Sequence, residues 1–360
     1  MTGARHPAPR EEPPPLTGLW YLAAPSRDLP RGAMRRRILF GEPVVLGRTK
    51  AGAPFALRDV CPHRGAPLSY GRLRETGGET LVECPYHGWR FRVADGACAA
   101  IPALCGEDGA PGKIRTRAFR LHEENGLVWL YRDEEARAPR QSAPPAPDFG
   151  LDARLRPRVV ARAGAEGPFD EAVIGLVDPA HTPFVHRQWW WRAGAALREK
   201  RKAFEPTPLG FKMPAHAPSS NSRIYRFLGG APTTEIEFRL PSIRIETIRT
   251  AHNTIVGLTA ITPTEPGKAS ILHVMFWDWP LLDLARPVLA RMARSFLAQD
   301  GAILRAQNEN LARLGHRPLY VGDADEPAKW YLQLARAWRA REAAGGFVNP
   351  TAGGSLRWRT

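Results

Sequence analysis

Two short loops, each carrying one Cys and one His, constrain this chain more than any other feature of its sequence. One loop reads Cys61-x-His63 and the other Cys84-x-x-His87, and a Gly follows the His in both. Thiolate and imidazole are side chains that hold iron or zinc in proteins. Because each loop supplies one ligand of each kind, four ligands converge if the loops are adjacent tips of one domain.

Two kinds of metal site compete for these four ligands. A structural zinc ion would bind all four in a single tetrahedron. A Rieske [2Fe–2S] cluster would bind Cys61 and Cys84 on one iron, and His63 and His87 on the other. Zinc fingers usually pair Cys with Cys and His with His along the chain, whereas each loop here is mixed. The spacing therefore favours the Rieske cluster, with zinc as the alternative.

The rest of the composition excludes several classes of protein. Four Cys in 360 residues exclude a disulfide scaffold, so Cys98 and Cys105 are interpreted as ordinary thiols. With 43% hydrophobic and 24% charged residues, the chain is not mostly disordered. The first 20 residues hold no apolar signal segment, and no apolar run is long enough to span a membrane. We therefore expect a cytoplasmic protein with no membrane span.

The net charge of +15 is spread along the chain. Its 51 basic residues comprise 44 Arg and 7 Lys, a bias typical of a GC-rich genome. No basic cluster is interleaved with aromatic residues, the pattern that favours nucleic-acid binding. We therefore expect no nucleic-acid partner, and we expect the positive field to attract an acidic protein.

Apolar patterning divides the chain into five segments. Short alternating runs, separated by turn residues about every 8–12 positions, predict a small antiparallel β domain first. A charged and then Pro-rich stretch predicts a linker after it. The predicted segments are a disordered tail (1–16), the β domain (17–132), the linker (133–150), a second domain (151–345) and a C-terminal tail (346–360).

The second domain combines long strands with helices. A helix is predicted at 168–178, ahead of the strands. The strands form an antiparallel meander closed by a long helix, which makes the domain α+β. The predicted strands are at 233–240, 243–250, 254–262 and 269–279, and the helices that follow are at 284–314 and 326–342.

A second set of metal ligands lies early in this domain. Asp178-x-x-His181 is followed by His186, five residues further on. On a regular helix, a five-residue step places two side chains about 140° apart. Pro183 lies between the two His and is expected to break that helix, because its ring clashes with the preceding turn. Both imidazoles then converge on one metal ion, which a carboxylate completes as a 2-His-1-carboxylate site.

Two carboxylates compete to complete this site. Asp178 is close in sequence, whereas Asp300 lies on the predicted long helix in an apolar stripe with Phe296 and Leu304. A carboxylate in such a stripe must be paired or bound to a metal, because its burial is otherwise costly. We favour Asp300 as the ligand, with a buried Asp–Arg pair as the alternative, and leave Asp178 free for another role.

Together the motifs resemble the Rieske non-haem iron oxygenases, specifically catalytic α subunits of the short, single-component type. The resemblance covers about residues 17–340. It implies an α+β chain in which an all-β Rieske [2Fe–2S] domain precedes a helix-grip catalytic domain, an antiparallel sheet with a long C-terminal helix. The motifs that carry it are Cys61-x-His63…Cys84-x-x-His87 and Asp178-x-x-His181-x4-His186.

The resemblance implies a role for each motif residue. The matches to the cluster ligands are Cys61, His63, Cys84 and His87, and the matches to the ligands of a mononuclear Fe(II) are His181, His186 and Asp300. Asp178 matches a carboxylate that links an iron-ligand His to a cluster-ligand His of the neighbouring subunit, which implies a homotrimer. Gly175 departs from the pattern, because related members often carry Asn there.

The implied function is that of an oxygenase component. Such a component uses O2, and electrons from a separate ferredoxin and/or NAD(P)H-dependent reductase, to hydroxylate or oxidatively demethylate a small organic substrate. This chain has no GxGxxG turn and no second iron–sulfur motif, so a partner must deliver the electrons. The alternative is a Rieske-type electron carrier or redox sensor, although a carrier needs no second metal site.

Large apolar residues near the second site favour an apolar substrate, with aromatic and polycyclic compounds as candidates. Ordinary core or interface packing is the alternative for each of these residues. The candidates for the pocket are Phe184, Trp189, Trp190, Trp191, Met275 and Trp277.

Overall fold

The chain divides into two compact units. A computed structural model describes residues 12–105, 113–133, 149–186, 197–218, 231–314 and 318–359. The N-terminal unit is Thr17–Ala153, and the C-terminal unit is Arg154–Thr360 together with Met1–Leu16. None of the described helices combines the length and the apolar character needed to cross a membrane.

The N-terminal unit is built from short antiparallel strands. They form three sheets, with the orders β1-β11-β10, β2-β3-β4-β9 and β5-β6-β7-β8. The strands are β1 (Leu19–Pro25), β2 (Met34–Leu39), β3 (Glu42–Arg48), β4 (Pro54–Arg58), β5 (Arg72–Thr76), β6 (Glu79–Glu83), β7 (Arg90–Arg92), β8 (Cys98–Ala100), β9 (Ala118–Phe119), β10 (Leu121–Glu124) and β11 (Leu127–Arg132).

Strand β3 separates two apolar cores in this unit. Side chains alternate across a strand, so Val44 and Leu46 pack into one core while Val45 packs into the other. The second core also contains Cys61 and Cys84. The loops with the Cys/His motifs are therefore anchored on a buried apolar layer by their first residues.

The C-terminal unit is one large sheet with helices. Its strands are β12 (Val159–Glu166), β13 (Glu199–Thr207), β14 (Gly210–His216), β15 (Thr233–Arg239), β16 (Ile243–Arg249), β17 (Thr254–Pro263), β18 (Lys268–Trp277) and β19 (Gly354–Arg359). Its helices are α1 (Phe169–Val177), α2 (Thr182–Val185), α3 (Arg286–Leu314) and α4 (Glu326–Ala340). The sheet order is β12-β18-β17-β16-β15-β14-β13-β19, with antiparallel neighbours throughout.

Helix α3 packs closely on the edge strand β12. Leu297, Gly301 and Leu304 form its buried stripe. A Cβ at Gly301 would lie 3.2 Å from the carbonyl oxygen of Gly164 on β12, so a glycine permits this approach. Of the predicted stripe, Leu304 is buried, whereas Phe296 and Asp300 are half-buried. Asp300 therefore lies beside the most buried face of the helix.

The predicted α+β class is confirmed, and the four predicted long strands are β15–β18. The sequence patterns missed β12, β13, β14 and β19. Alternation is hard to see in β13 and β14, because charged residues and a proline interrupt both strands (EKRKAFEPT and GFKMPAH). β12 is rich in Ala and Gly, which have low strand preference.

Both predicted tails contain residues that pack in the C-terminal unit. Leu16 is 2% exposed, and the Glu12 carboxylate accepts hydrogen bonds from the main-chain N–H groups of Phe169 and Gly267. The expectation of a C-terminal tail is wrong, because β19 pairs with β13. Of the predicted linker, residues 134–148 lie outside the described residues.

We expect Leu356→Ala to lower the free energy of unfolding by about 2–4 kcal/mol, because the Leu356 side chain on the edge strand β19 is buried. Denaturant unfolding followed by circular dichroism measures the change. Arg357→Ala is the matched control on the same strand, and its exposed side chain predicts a change within about 0.5 kcal/mol. Equal changes in the free energy of unfolding for both variants would show that the Leu356 side chain is not buried.

Candidate metal centres

Each Cys/His loop of the N-terminal unit follows a strand and is closed by the same kind of turn. Cys61 follows β4, and Cys84 directly follows β6. The N–H of Gly65 donates to the carbonyl of Cys61 at 2.8 Å, and the N–H of Gly88 donates to the carbonyl of Cys84 at 3.1 Å. Both glycines have φ near +70°, a conformation that other residues adopt at a cost. The two motifs therefore build equivalent turns.

The four predicted cluster ligands lie together at these turns. The thiols of Cys61 and Cys84 are buried side by side, and burial together with the neighbouring thiol raises the pKa of Cys61 to about 11. The rings of His63 and His87 lie 4.7 Å apart between centroids. Nδ1 of His87 is buried without a hydrogen-bond partner. A buried thiol pair beside two imidazoles, one with a free buried nitrogen, fits a mixed Cys/His metal cluster.

The first loop is held by a buried carboxylate. Asp59 is 1% exposed and accepts hydrogen bonds from the main-chain N–H and the hydroxyl of Ser69, at 2.6 and 2.7 Å. Arg36 donates to the same carboxylate at 3.2 Å. These bonds fix the two ends of the loop that carries Cys61 and His63.

The second loop begins beside another buried carboxylate. Glu83 immediately precedes Cys84 and accepts hydrogen bonds from Arg72, Arg74 and Arg90. Burial opposes ionisation of Glu83, but the three guanidinium groups outweigh it and lower its pKa to about 2. The carboxylate therefore stays ionised and ties β5, β6 and β7 together next to the ligand.

An aromatic ring orients one imidazole. Trp89 stacks on His63 with centroids 4.6 Å apart and an interplanar angle of 4°. Trp89 belongs to the second loop, so this contact joins the two loops. The motif spacing alone assigned no role to Trp89, because the contact depends on how the two loops meet.

In the C-terminal unit, His181 and His186 flank the short helix α2. The prediction that Pro183 breaks a helix here is wrong. Pro183 lies in the first turn of α2, where no intrahelical N–H bond is needed and proline is tolerated. His181 precedes the helix and His186 follows it with extended backbone, φ −88° and ψ 109°. Their ring centroids are 5.6 Å apart.

Helix α3 brings Asp300 to these two imidazoles. Oδ1 of Asp300 lies 3.7 Å from Nε2 of His181 and 3.3 Å from Nε2 of His186. One ligand atom from each of the three residues lies within 4.8 Å of the others. Nε2 of His186 is buried without a hydrogen-bond partner. An orphaned buried nitrogen that faces a carboxylate and a second imidazole fits a bound divalent metal ion.

Burial shifts the pKa values of Asp300 and His186 at this site towards their neutral forms. Burial raises the pKa of Asp300 to about 6, although His181 and Arg244 act against it. Burial and the neighbouring His181 lower the pKa of His186 to about 4. For His181, burial is outweighed by Asp178 and Asp300, so its pKa is raised. A cation at this site would favour the ionised carboxylate and the neutral imidazoles.

Two hydrogen bonds orient the imidazoles so that both Nε2 atoms point to Asp300. Nδ1 of His181 bonds to the main-chain carbonyl of Asp178 at 3.0 Å. Nδ1 of His186 lies 3.2 Å from Oε1 of Gln299. The sequence analysis did not identify Gln299. Its position next to Asp300 on the same helix was the available indication that it lies near the site. The Phe296 ring also stacks on His186.

Asp178 itself lies next to the site rather than in it. Its Oδ2 is 3.6 Å from Nδ1 of His181, and its Oδ1 accepts a hydrogen bond from the N–H of Ala180 at 2.7 Å. The side chain is 30% exposed. The carboxylate is therefore close to a ligand His and open to solvent on its other side.

The metal-site residues border a cavity of about 520 Å³ between the helices and the sheet. Gly175, Asp178, His181 and Asp300 are among the residues that line it. A Cβ at Gly175 would meet only Leu304, at 3.7 Å. The absence of a side chain at this position therefore leaves room beside the two His.

The predicted pocket residues are only partly confirmed. Met275 lines the cavity. Phe184 is 59% exposed, and Trp277 is fully buried in the core with its indole N–H donated to Asp283, so both are wrong as lining residues. The predicted residues Trp189, Trp190 and Trp191 lie outside the described residues.

Models of two protein families match this chain. Residues 19–120 match the Rieske [2Fe-2S] domain. Residues 175–341 match the vanillate O-demethylase oxygenase C-terminal domain. The first match contains both Cys/His loops, and the second contains the two His and Asp300. The match to the Rieske domain favours the cluster over the zinc alternative.

The curated relatives include several oxygenases. Chlorophyllide a oxygenase of Chlamydomonas reinhardtii is 28% identical over 349 residues, which are 90% of this chain and 48% of the relative. The oxygenase component of dicamba O-demethylase from Stenotrophomonas maltophilia is 34% identical over 169 residues, 47% of each chain. The chain thus spans about half the length, or less, of the curated relatives it matches first.

Solved structures share the fold of the whole chain. Dicamba monooxygenase bound to 3,6-dichlorosalicylic acid has a TM-score of 0.69 at 24% identity and covers 91% of this chain and 98% of its own. The 2-oxoquinoline 8-monooxygenase component has a TM-score of 0.66 at 18% identity, over 89% of this chain and 86% of its own. With two matched domains in the same order and the predicted fold, the chain belongs to the Rieske non-haem iron oxygenase family.

Proposed function

We propose that this chain is the oxygenase component of a multicomponent Rieske system. It uses O2 and electrons from a partner to hydroxylate or oxidatively demethylate an apolar organic substrate. The observation that carries this proposal is the convergence of His181, His186 and Asp300 beside a cavity of about 520 Å³. A cavity of this size suits a small organic molecule.

The alternative, an electron carrier or redox sensor, explains less of the chain. A carrier has no use for a second ligand set or for a substrate cavity next to it. The relatives also favour the oxygenase, because they include the oxygenase component of dicamba O-demethylase and the oxygenase subunit of 3-chlorobenzoate-3,4-dioxygenase. One of these names denotes a demethylation and the other a dioxygenation.

The proposed cofactors are a Rieske [2Fe–2S] cluster and a mononuclear Fe(II). The residues that would hold the cluster are Cys61, His63, Cys84 and His87, and those that would hold the iron are His181, His186 and Asp300. When bound, the cluster supplies single electrons and the iron supplies O2 activation. A family model for the [2Fe-2S] domain, and the fold shared with a dicamba monooxygenase described with non-heme iron, support both cofactors.

The residues around the iron ligands would orient them. Gln299 holds Nδ1 of His186, and the Asp178 carbonyl holds Nδ1 of His181, so each ring presents Nε2 to the metal. Such outer hydrogen bonds fix the ring orientation and tune ligand basicity. The apolar walls of the cavity exclude water from the reacting carbon and favour an apolar substrate body.

The electron donor is proposed to be an acidic ferredoxin, reduced by an NAD(P)H-dependent reductase, or that reductase itself. The exposed Arg64 belongs to the loop that carries His63. Arg72, close to the second loop, has a side chain 66% exposed. Positive side chains around the cluster ligands would steer an acidic partner to them. The cytoplasmic location stays a prediction.

A homotrimer is proposed because the resemblance to this family implies one, and the position of Asp178 supports a bridge between two subunits. One side of its carboxylate is near His181, and its exposed part is free to meet a cluster-ligand His of a neighbouring subunit. Two imidazole N–H groups on one carboxylate would connect the two metals through hydrogen bonds.

His186→Ala should abolish substrate-dependent O2 uptake, because the iron loses a buried ligand, while the cluster absorption stays unchanged. The assay adds a ferredoxin and reductase as electron source and compares bound iron with wild type. The exposed His252 on the same unit is the control, and His252→Ala should retain full activity. Retained uptake and iron in His186→Ala would contradict the assignment.

Cys84→Ser should remove the visible absorption and the electron paramagnetic resonance signal of the cluster, because a hydroxyl is a poor ligand for thiophilic iron. Cys98→Ser is the matched control, since Cys98 is buried in the same core. The control should keep both signals. A full Rieske-type spectrum in Cys84→Ser would rule out the cluster assignment.

Asp178→Asn should keep both metals but slow electron transfer from the cluster to the iron. Asn offers one acceptor and one donor where two imidazole N–H groups need two acceptors. Single-turnover mixing of reduced protein with substrate and O2 measures the transfer. Wild-type transfer rates in the variant, or full activity in a proven monomer, would contradict the bridge.

A further inference from the structure

Two of the few lysines in this chain lie in the cavity. The chain has 44 Arg and only 7 Lys, yet Lys200 and Lys202 both line the cavity from strand β13. Their neighbours Glu199 and Arg201 alternate to the exposed face. The strand pattern therefore places two ammonium groups on the inner face of the sheet.

Neither lysine is neutralised by a carboxylate in the described part of the chain. Within 4.0 Å of either Nζ, no ion pair with a described Asp or Glu exists, and Lys202 donates to the carbonyl of Ala217 at 3.1 Å. Segments 187–196 and 219–230 contain Arg but no Asp or Glu. The cavity thus holds two cations without an anionic partner among the described residues.

Lys212 shows the ordinary arrangement on the same sheet. It lies on β14 between the cavity-lining residues Phe211 and Met213, so its side chain is on the opposite face. Its Nζ lies 3.8 Å from Glu205 and 3.9 Å from Glu235. Lys212 is thus paired on the outer face of the sheet, whereas Lys200 and Lys202 have no such ion pair among the described residues.

Two other charged residues that line the cavity, Arg244 and Glu246, neutralise each other. Arg244 donates two hydrogen bonds to Glu246, both at 3.1 Å. Burial and the nearby Lys202 lower the pKa of Lys200, and burial lowers the pKa of Lys202. Holding both ammonium groups charged in this place is unfavourable, and an anion bound between them would relieve that cost.

The lysines and the proposed iron ligands line the cavity from different elements. Asp300 is on α3, which packs at β12, one edge of the sheet. β13 is six strands from β12 in the sheet order. The strands between them contribute apolar lining residues such as Phe211, Ile236 and Phe238, along with the paired Arg244 and Glu246.

We propose that Lys200 and Lys202 form a subsite for the anionic group of an organic substrate, a carboxylate or sulfonate on an apolar ring body. The apolar lining residues contact the ring body of the substrate, and the position of the bound anion determines which ring carbon faces His181. This inference rests on the proposed oxygenase function and narrows its substrate class from apolar molecules to apolar anions. The lysines are thus specificity-determining residues.

The test compares two fluorescent probes that differ by one sulfonate, 8-anilinonaphthalene-1-sulfonate and neutral N-phenyl-1-naphthylamine. Both are titrated into the full-length protein with its metals bound. The double variant Lys200→Gln/Lys202→Gln removes both positive charges and leaves a shorter, neutral amide donor at each position. We expect it to bind the sulfonate at least about fivefold more weakly, with the Kd of the neutral probe changed less than about twofold.

The matched control is Lys212→Gln, which removes a lysine from the opposite face and should leave both Kd values unchanged. Circular dichroism confirms that each variant is folded. The proposal is overturned if wild type does not bind the sulfonate, if the double variant binds it as wild type does, or if both probes weaken equally.

The titration requires neither O2 nor turnover, so the two proposals fail separately. A lysine-dependent preference for the sulfonate without any substrate-dependent O2 uptake would contradict only the oxygenase function. O2 uptake with no lysine-dependent preference would contradict only the anion subsite.

Discussion

The contact between helix α3 and strand β12 determines whether the residues of the proposed mononuclear site come together. Gly301 lies against the carbonyl of Gly164, and Asp300 immediately precedes Gly301 on the helix. This approach brings Oδ1 of Asp300 within 3.3–3.7 Å of two Nε2 atoms that belong to a segment more than 110 residues earlier in the chain. A larger side chain at position 301 would displace the helix and separate the ligands, because packed interiors leave no space for it.

Both metal centres follow one physical scheme. The ligands lie on turns or helix ends, where the backbone geometry is set by local hydrogen bonds, and a second layer of polar groups fixes their direction. Asp59 and Glu83 hold the two Cys/His loops, and Gln299 holds His186. Burial disfavours the charged form of a ligand side chain, as the raised pKa of Asp300 shows. The same imbalance recurs at Lys200 and Lys202, where it points to a ligand of opposite charge.

The proposed ligand set was accessible from sequence because its spacing is local. Cys61 to His63, Cys84 to His87 and His181 to His186 are each confined to one loop, so residue type and spacing carry the chemistry. Asp300 was accessible through a physical argument about a carboxylate in an apolar helical stripe, although the most buried residues of the helix are Leu297, Gly301 and Leu304. The residues missed, such as Gln299 and Lys200, act through contacts that span the fold. Residue type alone does not distinguish Lys200 from the surface Lys212.

The sequence by itself determined the two-domain α+β order, the cluster motif and the two His of the second site, because turn chemistry, strand alternation and ligand spacing are encoded over a few residues. The tertiary structure decided what depends on distant contacts. Pairing of β19 with β13 converted an expected tail into the edge of the sheet. Alternation along β13 then turned Lys200 and Lys202 inward, and the sheet and helices enclosed them in one cavity with Asp300. These features follow from strand pairing and helix packing, which no local pattern specifies.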